Sequence, residues 1–171
     1  MKHYYVFILL TGILFAGCNN QTAEKSVSYP TSYEDSVKQF VYDYVDEIWN
    51  KKDFTNAEKY WGPDFRNGFA PQLEHGPEGM KKQIESFLQA FNPFHFEVKE
   101  IIIDGDKVAM WFIITATHSG DFMGIKATNK EITFREAAWY EMKDGKFDVV
   151  YGFVDWDMVY QQLGQYPGLN E

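Results

Sequence analysis

Two side chains in this sequence place a titratable group in an apolar setting, and both sit on patterns that read as β-strand. From Val108 onward the residues alternate, so Val108, Met110, Phe112, Ile114, Ala116 and His118 share one face. His118 closes that face just before Ser119-Gly120, and imidazole is the side chain whose charge changes near neutral pH without large perturbation. Glu136 lies between Phe134 and Ala138 on one face of a second alternating run. A carboxylate held among aromatics loses solvation and its pKa rises. It can then take or give a proton near neutrality. General acid–base chemistry is therefore the chemistry these two residues would carry. Structural readings compete with it: a His118 satisfied at a rim by a neighbouring group, and a Glu136 paired with an Arg, a Lys or His118 itself.

Aromatic residues make up 18% of the chain, enough to line a cavity as well as fill a core. Tyr44, Trp49, Trp61 and Phe65 fall on segments that would face such a cavity from the N-terminal half. Phe91 would face it from the end of a helix, and Phe112, Phe134, Tyr140, Tyr151 and Phe153 from the strands. Such a lining favours a flat, apolar or aromatic ligand with a few polar handles. The four histidines and the single cysteine show no metal-ligand spacing, and His75 and His95 sit where an exposed or unremarkable role is expected. No Gly-rich phosphate cradle and no nucleophile elbow are present.

The elements that must position these groups follow from periodicity. Thr31 or Ser32 can cap a first helix whose apolar positions Val37, Phe40, Val41, Tyr44, Val45, Ile48 and Trp49 recur at helical spacing up to Lys51-Lys52. A short helix is expected from Asp53 to Tyr60. A loop is expected from Trp61 to His75, which holds Gly62-Pro63, Gly68 and Pro71. Gly76-Pro77-Glu78-Gly79 opens a further helix with the buried stripe Met80, Ile84, Phe87, Leu88 and Phe91, ended by Pro93. Strands are expected at 94–103, 107–119, 130–142 and 147–154, joined by Asp104-Gly105-Asp106, by a loop over 120–129 and by Asp144-Gly145. Asp155 can cap a last helix from Asp157 to Leu163, worth about 1 kcal/mol, with a place near the pocket as its second role. Three helical segments followed by an antiparallel meander make an α+β fold, its helices packed on one face of a curved sheet.

The first 17 residues read as a signal peptide: Lys2, then an apolar run too short to span a membrane, then Ala16-Gly17 before Cys18. Leu14-Phe15-Ala16-Gly17-Cys18 is similar to a bacterial lipobox, which implies cleavage before Cys18 and its lipidation. The competing reading is an ordinary signal peptide containing a cysteine. Residues 18–30 then form a polar tether, and 31–171 make one domain with one core. Lipidation would place the protein in the bacterial cell envelope, held by a lipid anchor. With 25 acidic against 16 basic residues, the net charge of −9 argues against nucleic acid and against docking on an anionic lipid surface.

The order of these pieces resembles the SnoaL-like polyketide cyclase, or ester cyclase, family of the NTF2-like superfamily over about Val37 to Gly164. Trp49-Asn50-Lys51, Pro63-Asp64-Phe65 and Gly76-Pro77-Glu78-Gly79 carry the resemblance in the first half. Asp104-Gly105-Asp106-Lys107-Val108, Thr117-His118-Ser119-Gly120 with Phe122-Met123-Gly124, Lys143-Asp144-Gly145-Lys146, Asp155 and Gln161-Gln162-Leu163-Gly164 carry it in the second. The resemblance implies a cone of three or more helices closed by a bent sheet around an apolar pocket. It also implies no metal or organic cofactor, and a His or carboxylate that moves a proton next to a carbonyl. His118 matches the His of the family's Thr-His-x-Gly motif. The family carboxylate of the third strand falls on Ala138, and a pocket His after Pro-Asp-Phe falls on Gly68. Glu136 would substitute for the first, and nothing replaces the second. The expected function is therefore an envelope lipoprotein whose pocket binds a small apolar or carbonyl-containing molecule. The alternative is a cyclase- or isomerase-like enzyme with Glu136 as base and His118 as oxyanion partner or acid. Trp111, Ile113, Thr115, Arg135, Ala137 and Trp139 form the opposite sheet face, expected to mediate a homodimer or to be covered by the C-terminal tail.

Overall fold

A computed structural model describes residues 31–166; the signal peptide, Cys18 and the tether lie outside the described residues. The long first helix begins as α1, Thr31–Tyr44, and then widens into a π-helical stretch, Val45–Asn50, where Lys51 N–H donates to Asp46 O at 2.8 Å. The short second helix is reduced to one 3₁₀ turn, Ala57–Lys59. The loop expected from Trp61 onward is instead opened by a strand, β1, Trp61–Asn67, that pairs in parallel with the last strand. Gly62-Pro63 misled because Pro lacks a donor, yet an edge strand tolerates it. Helix α2, Gly76–Ala90, has Pro77 in its first turn.

Four antiparallel strands complete the sheet: β2 Phe91–Asp104, β3 Lys107–His118, β4 Glu131–Lys143 and β5 Lys146–Val154. Their order is β1-β5-β4-β3-β2, an open sheet. Helix α3, Trp156–Leu163, follows β5. Asp155 caps it, accepting from Met158 N–H at 3.1 Å, and also pairs with Arg135 at 2.8 Å. This is the expected α+β architecture, helices against a curved sheet. The alternation along β3 holds throughout, with Val108, Met110, Phe112, Ile114, Ala116 and His118 all buried. Phe40 and Tyr44 from α1 meet Phe147 at ring-centroid distances of 5.1 Å, and Phe87 from α2 meets Phe94 at 5.6 Å. These edge-on contacts fasten the helical layer to the sheet.

A bulge in β5 decides which side chains point inward. Glu141 pairs with Val149 and Met142 with Phe147, so Asp148 is an extra residue and the parity of the strand changes there. Phe147 points into the core before the bulge, whereas Val150, Gly152 and Val154 point inward after it, opposite Tyr140, Ala138 and Glu136. Tyr151 and Phe153 are thereby turned to the outer face, where both pack on Phe69. Trp111, Trp139 and Phe153 are exposed on that outer face.

Candidate functional site

The concave side of the sheet holds a cavity of about 150 Å³ between β4, β5, α1 and α2. Glu136 projects into it from the middle of β4; its same-face neighbours Phe134 and Ala138 are buried, while Glu136 is partly exposed to the cavity. Small residues make the room. Ala138 stands opposite Gly152, and a Cβ on Gly152 would come within 3.1 Å of Glu136 Oε1. Among the described residues no cation pairs with this carboxyl and no group hydrogen-bonds to it, which removes the ion-pair reading. Burial alone pushes its pKa from 4.5 to about 7.

Two phenols and an indole face the same space. Trp49 Nε1–H donates to Tyr44 Oη at 3.1 Å, and Tyr44 and Tyr140 share a hydrogen bond at 3.4 Å. The π-helical stretch makes the first bond: residues five apart on an α-helix point about 140° apart, and the wider turn brings Trp49 back over Tyr44. Burial raises the pKa of both tyrosines, so both remain protonated donors. Asn67 and Gln83 add side-chain amides at one end, while Met80, Ile84 and Phe87 supply the apolar wall.

Tyr44, Trp49, Glu136 and Tyr140 are thus brought together, and the remaining candidates are not. Trp61 and Phe65 stack on each other inside the core at 5.7 Å. Phe112 packs on Phe96, and Phe134 lies near Phe91. Tyr151 is on the outer face for the parity reason above, and Asp155 is a helix cap. Gly68 could not carry the family's histidine as the chain stands, because its Cβ would lie 2.1 Å from the Tyr151 ring. Its neighbour Asn67 is the residue that reaches the cavity.

His118 and Glu136 do not meet. Glu136 pairs with Phe112, six residues before His118, so roughly 20 Å of strand separates them. His118 is fully buried, and its Nδ1 accepts from Thr128 N–H at 3.2 Å and hydrogen-bonds Thr128 Oγ1 at 3.1 Å. The ring proton therefore sits on Nε2, which has no partner among the described residues. Burial lowers the pKa of His118, against a smaller opposing effect of Asp121. Its visible role is to hold the loop from Ser119 to Lys130 against the end of β3.

Two polar groups were missed. Gln83 lies three residues after Met80 and four before Phe87, so the helical stripe already pointed to it. Asn67 shares a strand face with Phe65, a signal that existed only once 61–67 was read as strand. Among the described residues, no cluster of His, Cys, Asp or Glu is arranged to hold a metal.

The fold and sequence have known relatives. TsrD from Streptomyces laurentii superposes with a TM-score of 0.70 at 21% identity, over 77% of this chain and 97% of that one. A SnoaL-like polyketide cyclase from Agrobacterium tumefaciens gives 0.67 at 18% identity, over 75% and 98%. AclR from Streptomyces galilaeus gives 0.64 at 28% identity, over 78% and 98%. No curated protein matches the sequence. Residues 39–163, most of the described domain, match the SnoaL-like polyketide cyclase profile. With its cone of helices, bent sheet and interior cavity already in view, the chain belongs to the SnoaL-like polyketide cyclase family.

Proposed function

We propose that the cavity binds a compact carbonyl compound and that Glu136 moves a proton on it. The observation that carries this reading is a carboxyl with no partner among the described residues, facing a small cavity beside two protonated phenols. A group poised near pH 7 serves as base and then as acid in one turnover. In the proposed step a C–H bond alpha to the carbonyl breaks and its proton passes to a Glu136 oxygen. The electron pair becomes the enolate, whose oxygen accepts a hydrogen bond from Tyr140. Tyr44 and Trp49 orient Tyr140 from behind. The enolate carbon then regains a proton or adds to a second carbonyl. Tyr140, and not His118, supplies the oxyanion donor, because His118 lies too far along β3 from Glu136. The cavity volume is below the roughly 300–1,000 Å³ of pockets that enclose drug-sized ligands, so the reacting part of the ligand is small.

Deuterium uptake into cyclohexanone in D₂O tests the step. Uptake catalysed by the wild type and lost in Glu136→Gln supports it. Cyclohexanone binding without any catalysed uptake would leave the second reading, a binding protein, which Ala138 favours by standing where the family carboxylate falls.

We also propose that the domain is tethered by lipidated Cys18 to the bacterial envelope and forms a homodimer through its outer sheet face. The lipobox-like Leu14 to Cys18 supports the first, and exposed Trp111, Trp139 and Phe153 support the second. Mass spectrometry of the N-terminal peptide and the solution mass of Trp139→Glu test them; an unacylated Cys18 or an unchanged monomer would overturn each.

A further inference from the structure

The cavity that holds Glu136 is not the only space at this end of the fold. A larger groove of about 540 Å³ lies outside it, bordered by Leu73, Lys82 and Ser86. Both spaces are lined by Asn67 and Gln83, so these two residues mark the boundary, here called the throat, at which the spaces adjoin. The throat is built from fixed parts. Gly79 packs so closely on the preceding segment that a Cβ there would lie 2.1 Å from Glu74 O. Gly68 N–H, donating to Val150 O at 2.8 Å, fixes the other side.

The orientation of each amide is set by its neighbours. Asn67 Oδ1 accepts from Phe69 N–H at 3.0 Å, which leaves the Asn67 NH₂ turned away from that bond and without a partner among the described residues. Gln83 Nε2 faces two carbonyl oxygens, Glu74 O and Gly79 O, each at 3.4 Å. Its Oε1 has no partner among the described residues and can accept. The two side chains at this boundary offer one donor and one acceptor, the complement of a secondary amide, which presents one C=O and one N–H. The inner cavity is too small for more than a compact head, whereas the outer groove is larger and carries a Lys, a Glu and a Ser.

We infer that the ligand has two parts: a compact carbonyl head beside Glu136, and a polar arm joined to it by an amide that passes between Asn67 and Gln83 into the outer groove. This rests on the proposed function, which supplies the head. Asn67 and Gln83 are then specificity-determining residues, since they read the linkage and not the reacting carbon.

Three probes test it by calorimetry on the full chain: cyclohexanone, the amide of 4-oxocyclohexanecarboxylic acid with glycinamide, and the corresponding ester with glycolamide. One lost hydrogen bond makes the ester bind about tenfold more weakly than the amide in the wild type. In Gln83→Met, close in shape but without the acceptor, the amide falls to the level of the ester. Equal binding of amide and ester in the wild type would overturn the inference, and that comparison needs no variant to fold. So would an amide no tighter than cyclohexanone. If cyclohexanone itself neither binds nor shifts the Glu136 resonance, the proposed function falls, and the inference falls with it.

Discussion

Replacing Glu136 by Gln should stabilise the domain, and only above a definite pH. Burial moves this carboxyl from 4.5 to about 7. One pKa unit corresponds to ~1.36 kcal/mol, so the ionised side chain costs the native state about 3 kcal/mol relative to a chain that keeps it neutral. The native state holds the proton more tightly than the unfolded chain. The contribution of the protonated group is therefore complete below the unfolded value of 4.5 and is lost as pH rises through about 7. Gln fills the same volume and cannot ionise. Urea unfolding should show wild type and Glu136→Gln with similar stability near pH 4, and the variant ahead by about 3 kcal/mol near pH 8, a rise in Tm of about 10 °C. Water drawn into the cavity by the charge reduces that figure without changing its sign. A difference that is constant with pH, or a wild type more stable than the variant near pH 8, would refute the reasoning.

Tyr140→Phe should lower carbonyl turnover by about 10²-fold through loss of one oxyanion donor, while its stability changes by about 1 kcal/mol; equal turnover in the variant would remove Tyr140 from the step. His118 behaves opposite to Glu136. Its folded pKa lies below 6.5, so the stability it contributes is present above 6.5 and is lost as pH falls below that value toward the folded pKa. Amide exchange at Thr128, whose N–H the imidazole accepts, should speed up over that acidic window and lose its pH dependence in His118→Gln. Gly68→Ala should destabilise by about 1–3 kcal/mol, because its Cβ meets the Tyr151 ring, and the additional change Tyr151→Ala should recover part of the loss.

Much of the architecture is legible in the residues themselves. The alternation from Val108 to His118 and from Ile132 to Tyr140 marks the inward faces of β3 and β4, and with them the direction of Glu136. Asp155 can be assigned as a cap from its place before an apolar helical run. Three local features are not legible. The bulge at Asp148 reverses the parity of β5, which puts Tyr151 outside although simple counting from Phe147 puts it inside. The π-helical stretch leaves no mark on apolar spacing that an α-helix would not also leave, so the Trp49–Tyr44 bond could not be foreseen. The parallel strand β1 draws its stability from pairing with a strand some eighty residues later, a non-local gain that propensity around Gly62-Pro63 does not register. His118 marks the limit of strand phase as a guide. Phase put it on the correct face, but position along the strand decided which neighbours the ring would have.

Carbon-13 NMR of the Glu136 side-chain carboxyl, titrated across the acidic and neutral range with and without cyclohexanone, addresses the central claim most directly. The expected result is an apparent pKa near 7 in the free protein, displaced when cyclohexanone binds. A carboxyl that titrates near 4.5 and ignores the ketone would contradict the claim.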